Sequence, residues 1–284
     1  MSASKTPVIS VIMNCYNSER YLKEAIDSVY AQTYTNWEII FWDNNSSDKS
    51  SDIAKSYDNK VKYFKAEKTT SLGEARVLAV EKSSGNYLAF LDCDDYWFPQ
   101  KLGLQIEVFL KNPNIAVVYG LCELVYEDSN LKKIIPKKGK LKEGYIFDDL
   151  AKEDFIPFPS VLLDKTKFIE CGGFPIHFKS ATDYWILLHL ANEYKFKAIK
   201  NVCCGYRTHQ YNLSHKLAET SAFESIELIS MFLPKKSAVL GLRHQYVNLA
   251  IIYFREKLFF KSLSILLREK IIFLGLSRII KRFF

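Results

Sequence analysis

The stretch 86-NYLAFLDCDDYWFPQ-100 sets an unbroken apolar run against a cluster of acids. Tyr87 to Leu91 are apolar or aromatic at every position, the pattern of a strand covered on both faces. Asp92, Asp94 and Asp95 follow at once, with Cys93 between the first two. Carboxylates this close disfavour one another's ionisation unless a cation joins them. A divalent ion held by one or two carboxylates and completed by substrate phosphates meets that demand, as Mg2+ and Mn2+ sites do. A solvated acidic turn, or Asp94 and Asp95 capping the next helix, meets it too. The acids alone do not choose.

Working outward, the first 120 residues alternate in type. Strand patterns at 8-VISVIM-13, 37-WEIIFW-42, 61-VKYF-64 and 87-YLAFL-91 are separated by helical ones. The first of these, 18-SERYLKEAIDSVYAQ-32, carries Leu22, Ala25, Ile26 and Val29 at helical spacing behind Ser18 as N-cap. A short helix is expected at 47–57 and another over 72–83. Such alternation implies an α/β fold with a mostly parallel sheet flanked by helices. Ligands of these sheets bind beyond the carboxyl ends of the strands, and Asp43 and Asp92 both begin turns there. Beyond 115 the pattern is mixed: one or two strands at 115–126, a lysine-rich loop or hairpin at 128–144, and a strand, short helix and Gly172-Gly173 turn within 158–174. A helix at 182–193 and a last strand over 198–209 precede a stretch that reads as helices only.

Two ordered segments, 10-SVIMNCYNSERYLKEAIDSVYAQTYTNWEIIFWDNNSSDKS-50 and 72-LGEARVLAVEKSSGNYLAFLDCDD-95, resemble the family 2 glycosyltransferases. The likeness covers about residues 1–214. It implies an inverting enzyme with the GT-A (Rossmann-like) fold that uses a nucleotide-diphosphate sugar, with a UDP-sugar the expected donor. By this resemblance 92-DCD-94 is the D-x-D element, Asp94 the metal ligand, and Asp92 close to the ribose or the metal. Cys93 falls inside the nucleotide-binding stretch as its variable residue, with no chemistry of its own. Asn14 and Tyr16 would lie at the base, Tyr16 stacking on it. Asp43 and Asn44 would reach the base and ribose edges, Asp48 would close that turn, and Arg76 would lie near the nucleotide. Many relatives have a second acid in place of Asn44, whose amide oxygen still accepts a hydrogen bond.

The same resemblance aligns 182-TDYWILLHL-190 with the pattern E-D-x-D-L-W-L-R-L. Asp183 then takes the position of the catalytic base, with Thr182, Trp185 and His189 as departures. Without the resemblance, Thr182 or Asp183 reads as an ordinary N-cap. The segment 206-YRTHQYNLS-214 resembles Y-R-x-H-x-x-S-x-S, which brings Arg207 to the diphosphate and His209 to the diphosphate or the metal. Phe155, Phe158, Tyr184 and Trp185 are candidates for a sugar platform or simply for the core.

Charge divides the chain. Residues 215–284 carry 12 Lys and Arg against 5 Asp and Glu, so the whole formal charge of +7 resides in this stretch. A neutral body with a basic, apolar tail suits contact with an anionic surface, and no nucleic-acid module is present. In 257–284, Lys270, Ser277 and Lys281 fall on one helical face and Ile272, Leu276, Ile279 and Phe283 largely on another. That pattern fits a helix in a membrane interface and equally a helix packed on the catalytic domain. Six cysteines without a C-x-x-C pair, and an N-terminus without a signal-type apolar core, suit a reducing cytoplasm, with the inner membrane face as the tail's contact.

The expected organisation is thus a catalytic domain over 1–214, nucleotide-binding to about 100 and acceptor-binding beyond, followed by a helical extension over 215–284. The expected reaction is metal-dependent (Mn2+ or Mg2+) transfer of a hexosyl or N-acetylhexosaminyl group. Its acceptor would be a hydroxyl of a glycan or lipid-linked intermediate in cell-surface polysaccharide synthesis. The departures around Asp183 keep one alternative in view, a nucleotide-sugar-binding protein without turnover. A nucleotidyltransferase would want a Gly-rich basic loop after the first strand, and 14-NCYNSER-20 has no glycine.

Overall fold

Strand β1 (Ile9–Cys15) lies between β2 (Trp37–Asp43) and β4 (Tyr87–Phe90), parallel to both. Its period of two sends Val11 and Met13 to one face and Ile12 to the other. Neighbouring strands follow suit: Ile39, Phe41 and Ala89 join Val11, while Ile40, Trp42, Leu88 and Phe90 join Ile12. Helices α1 (Glu19–Tyr30) and α4 (Lys101–Lys111) cover the first face through Leu22, Ile26, Leu102 and Ile106. Helix α3 (Leu72–Glu81) covers the second through Ala75 and Ala79.

The computed structural model describes residues 6–129, 131–137, 139, 141–210, 212–271, 274–275 and 277–279. After β3 (Val61–Lys65), preceded by α2 (Ser50–Lys55), the sheet runs β3-β2-β1-β4 in parallel. It then continues through β8 (Leu162–Asp164), β6 (Ile115–Tyr126), β9 (Lys195–Thr208) and β5 (Tyr96–Trp97). β8 is antiparallel to β4 and β6, β5 is antiparallel to β9, and β6 and β9 are parallel. Residues 115–126 form one strand, and β7 (Lys132–Ile135) folds back on it, so 128–144 contains a hairpin. The β6–β9 register shifts around Gly120, where a Cβ would meet Cys203 Sγ at 2.3 Å. Gly172 and Gly173 have φ of +85° and +66°, a left-handed turn that glycine adopts at little cost. That turn follows α6 (Lys165–Glu170).

Helices α5 (Phe147–Lys152) and α7 (Thr182–Glu193) add Leu150, Ile186 and Leu187 to the second core. The last stretch is helical: α8 (Leu213–Lys216), α9 (Ala218–Ser230), α10 (Lys236–Arg255) and α11 (Phe259–Arg268). Leu228, Ile229 and Ala238 belong to the same core as Leu150. α10 approaches α5 so closely that a Cβ on Gly241 would meet Ala151 O at 2.0 Å. α11 packs Leu266 on α10 beside Val247, Ala250 and Ile251, with Ile271 and Ile279 joining them. Ile272, Leu276, Lys281 and Phe283, assigned above to two faces of a last helix, lie outside the described residues. Among the described residues no helix is long and apolar enough to cross a membrane.

Candidate active site

Parallel pairing aligns the carboxyl ends of β1, β2 and β4, with Cys15 opposite Asp43. A cleft of about 1280 Å³ opens beyond them. Asn14, Tyr16, Asn44, Arg76, Asp92, Cys93, Asp94, Asp183 and His209 all line it. Asp43 and Arg207 do not.

On the strand-end side, Tyr16 stands 55% exposed, a ring open to a planar ligand. Asn14 Nδ2 is buried without a hydrogen-bond partner, and such an orphaned donor costs about 1–3 kcal/mol. Asn44 lines the cleft but spends its amide on one residue: Oδ1 accepts from Thr70 N and Oγ1, and Nδ2 donates to Thr70 O. Asp43 is fully buried, its carboxylate accepting from Ser46 N at 2.7 Å and Tyr63 Oη at 2.5 Å. It builds the turn behind the cleft. Asp48, expected to close the Asp43–Asn44 turn, instead ties the starts of α1 and α2 together, accepting from Glu19 N and Ser50 N at 3.0 Å each.

The acidic turn sits at the centre. Asp94 Oδ2 meets His209 Nε2 at 3.1 Å and Asn212 Nδ2 at 3.2 Å. Burial, then Asp92, raises the Asp94 pKa against the pull of His209. Asp95 points the other way, fully buried, with Oδ1 accepting from Arg207 N and Oδ2 unpartnered. Burial, then Asp94 and Asp92, pushes its carboxyl well above the ordinary range. Arg207, expected at the diphosphate, instead supports the turn. It donates to Asp94 O at 2.8 Å, pairs with Glu24 at 2.5 Å and lies against Tyr21 and Tyr96. Cys93 is buried, its thiol donating to Asn14 O.

Another part of the cleft wall is carried by the start of α7. Neither Thr182 nor Asp183 acts as its N-cap, a position held by Ala181. Thr182 Oγ1 accepts from Arg76, whose guanidinium lies between Phe158 and Phe174. The same guanidinium reaches Asp92 at 3.7 Å. Burial raises the Asp183 pKa, opposed by Arg76. Of the aromatic candidates, Phe158 and Tyr184 line the cleft. Trp185 stacks on His189 and Phe155 packs edge-on to Tyr119.

Three residues escaped the sequence reading. Asp154 faces the cleft with Asp183; partial desolvation there, then the Asp183 charge, raises its pKa. Asn212 holds Asp94 and also Arg207 O. Glu224, on α9, accepts three backbone hydrogen bonds just ahead of Asp183. Asn212 lay inside a quoted motif, but Asp154 and Glu224 carry no local signal.

Among the described residues no three His, Cys, Asp or Glu side chains converge as a metal cage. Asp94 and His209 nonetheless bring a carboxylate oxygen and an imidazole nitrogen to one point. That pair fits an ion that completes its shell with phosphate oxygens and water.

A cleft beyond the carboxyl ends of parallel strands is where α/β sheets of this kind bind their ligands. Residues 10–205 match the model for Glycosyl transferase family 2, and the chain belongs to that family. It is 32% identical over 222 residues, 78% of this chain and 83% of the other, to WfgD of Escherichia coli. That protein is described as a UDP-Glc:α-D-GlcNAc-diphosphoundecaprenol β-1,3-glucosyltransferase. In fold the chain is similar to Staphylococcus aureus TarS, solved with UDP-GlcNAc (TM-score 0.62, 18% identity, 85% of this chain and 70% of that one). It is also similar to the mannosyltransferase PcManGT of Pyrobaculum calidifontis, solved with GDP-Man and Mn2+ (TM-score 0.66, 14% identity, 98% and 86% covered).

Proposed function

We propose that the protein is a metal-dependent inverting glycosyltransferase that moves a sugar from a UDP-sugar to a hydroxyl of a lipid-linked glycan during cell-surface polysaccharide synthesis. The observation that supports this reading is that Asp94, His209 and Asp183 line one cleft; we read Asp94 and His209 as its donor side and Asp183 as its acceptor side. The similarity to WfgD supports a diphospholipid-linked acceptor. Lys179 and Lys216 line the same cleft and add positive charge for such a group.

In this mechanism Tyr16 stacks on the base and Asn14 Nδ2 gains the partner it lacks. Asp43 and Asn44 act by shaping that pocket. Asp94 and His209 would hold a divalent ion, which when bound would supply positive charge to the diphosphate leaving group. Arg76 orients Asp92 and fixes the start of α7. Asp183 takes the acceptor proton as the hydroxyl oxygen attacks the anomeric carbon, and the nucleoside diphosphate leaves with the bonding pair. A raised pKa suits Asp183 to this, since a base with a pKa nearer the working pH is the better proton acceptor.

The tail completes the proposal. α11 exposes Phe259, Phe260, Leu263 and Leu267 beside Lys261 and Arg268. Its packed stripe faces α10, another helix of the extension rather than the catalytic domain, and leaves the outer face to the membrane reading. The outer face suits an anionic bilayer surface where a lipid-linked acceptor would reside.

The experiment is a panel of nucleotide sugars incubated with the full chain, Mn2+ and a short diphospholipid-linked acceptor, read as nucleoside diphosphate release. Release that is acceptor-stimulated and lost in Asp94→Ala is expected. Binding of a donor without any release would overturn the proposal in favour of a binding protein.

A further inference from the structure

Glu224 presents a charged side chain only 8% exposed, on a helix of the C-terminal extension. Its Oε1 accepts from Lys179 N at 2.6 Å, and its Oε2 from Ser180 N at 3.0 Å and Ala181 N at 2.8 Å. These N–H groups lead straight into Thr182 and Asp183. These amides belong to the turn that leads into α7 and to its N-cap Ala181, and a carboxylate just ahead of a helix N-terminus is favoured by hydrogen bonding and by the helix dipole. What is unusual is where the carboxylate comes from. A local N-cap would tie α7 to its own chain, whereas Glu224 ties it to α9, more than 40 residues later in the sequence.

The opposite side of the same turn is pinned to α3. Gly73 N donates to Phe178 O at 3.1 Å, and Ser71 Oγ donates to Ile176 O at 2.8 Å. A Cβ on Gly73 would meet Pro175 O at 2.1 Å, so that contact leaves no room for adjustment. The segment 175–181 is therefore held between the donor half and the C-terminal helices, with Asp183 immediately after it. Ser221, one turn before Glu224 on α9, and the adjacent Ser225 line the cleft.

We infer that Glu224 is a positioning residue for the transfer reaction: by fixing the 179–181 backbone it sets where the Asp183 carboxylate stands relative to the donor. The C-terminal extension thereby completes the active site as well as offering a surface. This rests on the reading of Asp183 as the base. Misplacing a reacting group by about 1 Å can cost about 100-fold in rate. A residue that acts through position should therefore change kcat far more than donor binding.

The test compares Glu224→Ala, Glu224→Gln, Asp183→Asn and the two double variants in the full chain. The readouts are kcat and KM for donor, UDP affinity, and amide hydrogen exchange over 179–184. Glu224→Ala should lower kcat by about 10- to 100-fold, leave UDP affinity within about threefold, and speed exchange in that peptide. Glu224→Gln keeps the shape but only one accepting oxygen, so it should fall between wild type and Ala; it also decides the matter if the Ala variant does not fold. Asp183→Asn should cost less in the Glu224→Ala background than in wild type, because the two act through one position. A wild-type kcat in the folded Gln variant, with Asp183→Asn inactive, overturns the Glu224 inference alone. Wild-type turnover in Asp183→Asn removes the base assignment and this inference with it.

Discussion

Arg76 Nη2 and Asp92 Oδ1 lie 3.7 Å apart, and the same guanidinium donates to Thr182 Oγ1. A single buried cation therefore joins the acidic turn after β4 to the helix that carries Asp183. Lysine cannot reproduce this, because its point charge lacks the planar fork and the ring stacking on Phe158 and Phe174. Arg76→Lys should lower kcat/KM by at least about 10-fold and destabilise the fold by about 1–3 kcal/mol through the buried Thr182 hydroxyl left without its donor. Steady-state kinetics and urea unfolding measure the two effects.

The pH dependence follows from Asp183. Burial raises its pKa, with Arg76 holding it back, and a base acts only when ionised. Turnover should thus fall as pH drops through a value above the ordinary carboxylate range, earlier than for an exposed aspartate. Asp183→Asn should remove this limb and cost about 100- to 10,000-fold in kcat. A kcat–pH profile of both proteins checks it.

Asp154 gives the opposite limb. With a pKa of about 8, it is protonated near neutrality and ionises above that, adding a negative charge beside Asp183 and the incoming diphosphate. Wild-type kcat/KM should therefore decline above pH 8, and Asp154→Asn should flatten that decline. An unchanged alkaline limb in the variant would mean that another group produces it.

Membrane contact is a separate prediction. Phe260 is 92% exposed on α11, so Phe260→Glu should weaken flotation with anionic liposomes while leaving the α10 contact of Leu266 intact. Vesicles of neutral lipid should bind the wild type less well. Equal flotation of wild type and variant would sink this use of the helix.

Much of the donor half was legible in the sequence, because buried parallel strands write themselves as apolar runs and strand-end ligands follow them directly. Asp92 was placed at a strand end that way, Tyr16 and Asp94 through the family resemblance, and all three line the cleft. Asp43 and Arg207 were harder to place. Their positions at strand ends were readable, but the partners that draw them behind the cleft, Tyr63 for one and Glu24 with Asp94 O for the other, are matters of packing. Asp154 and Glu224 were silent for a similar reason: each sits in an unremarkable polar context and reaches the site only through long-range folding. The tail illustrates a third limit, since amphipathicity alone could not distinguish packing on the protein from packing on a membrane; α11 buries Leu266 against α10 and leaves Phe260 exposed.

The most direct measurement is the anomeric configuration of the transferred sugar, read by NMR on the product of an α-linked UDP-sugar and a diphospholipid-linked acceptor. A β-linked product, formed by wild type and lost in Asp183→Asn, is expected. An α-linked product, or full transfer by the variant, would contradict single-step inversion with Asp183 as the base.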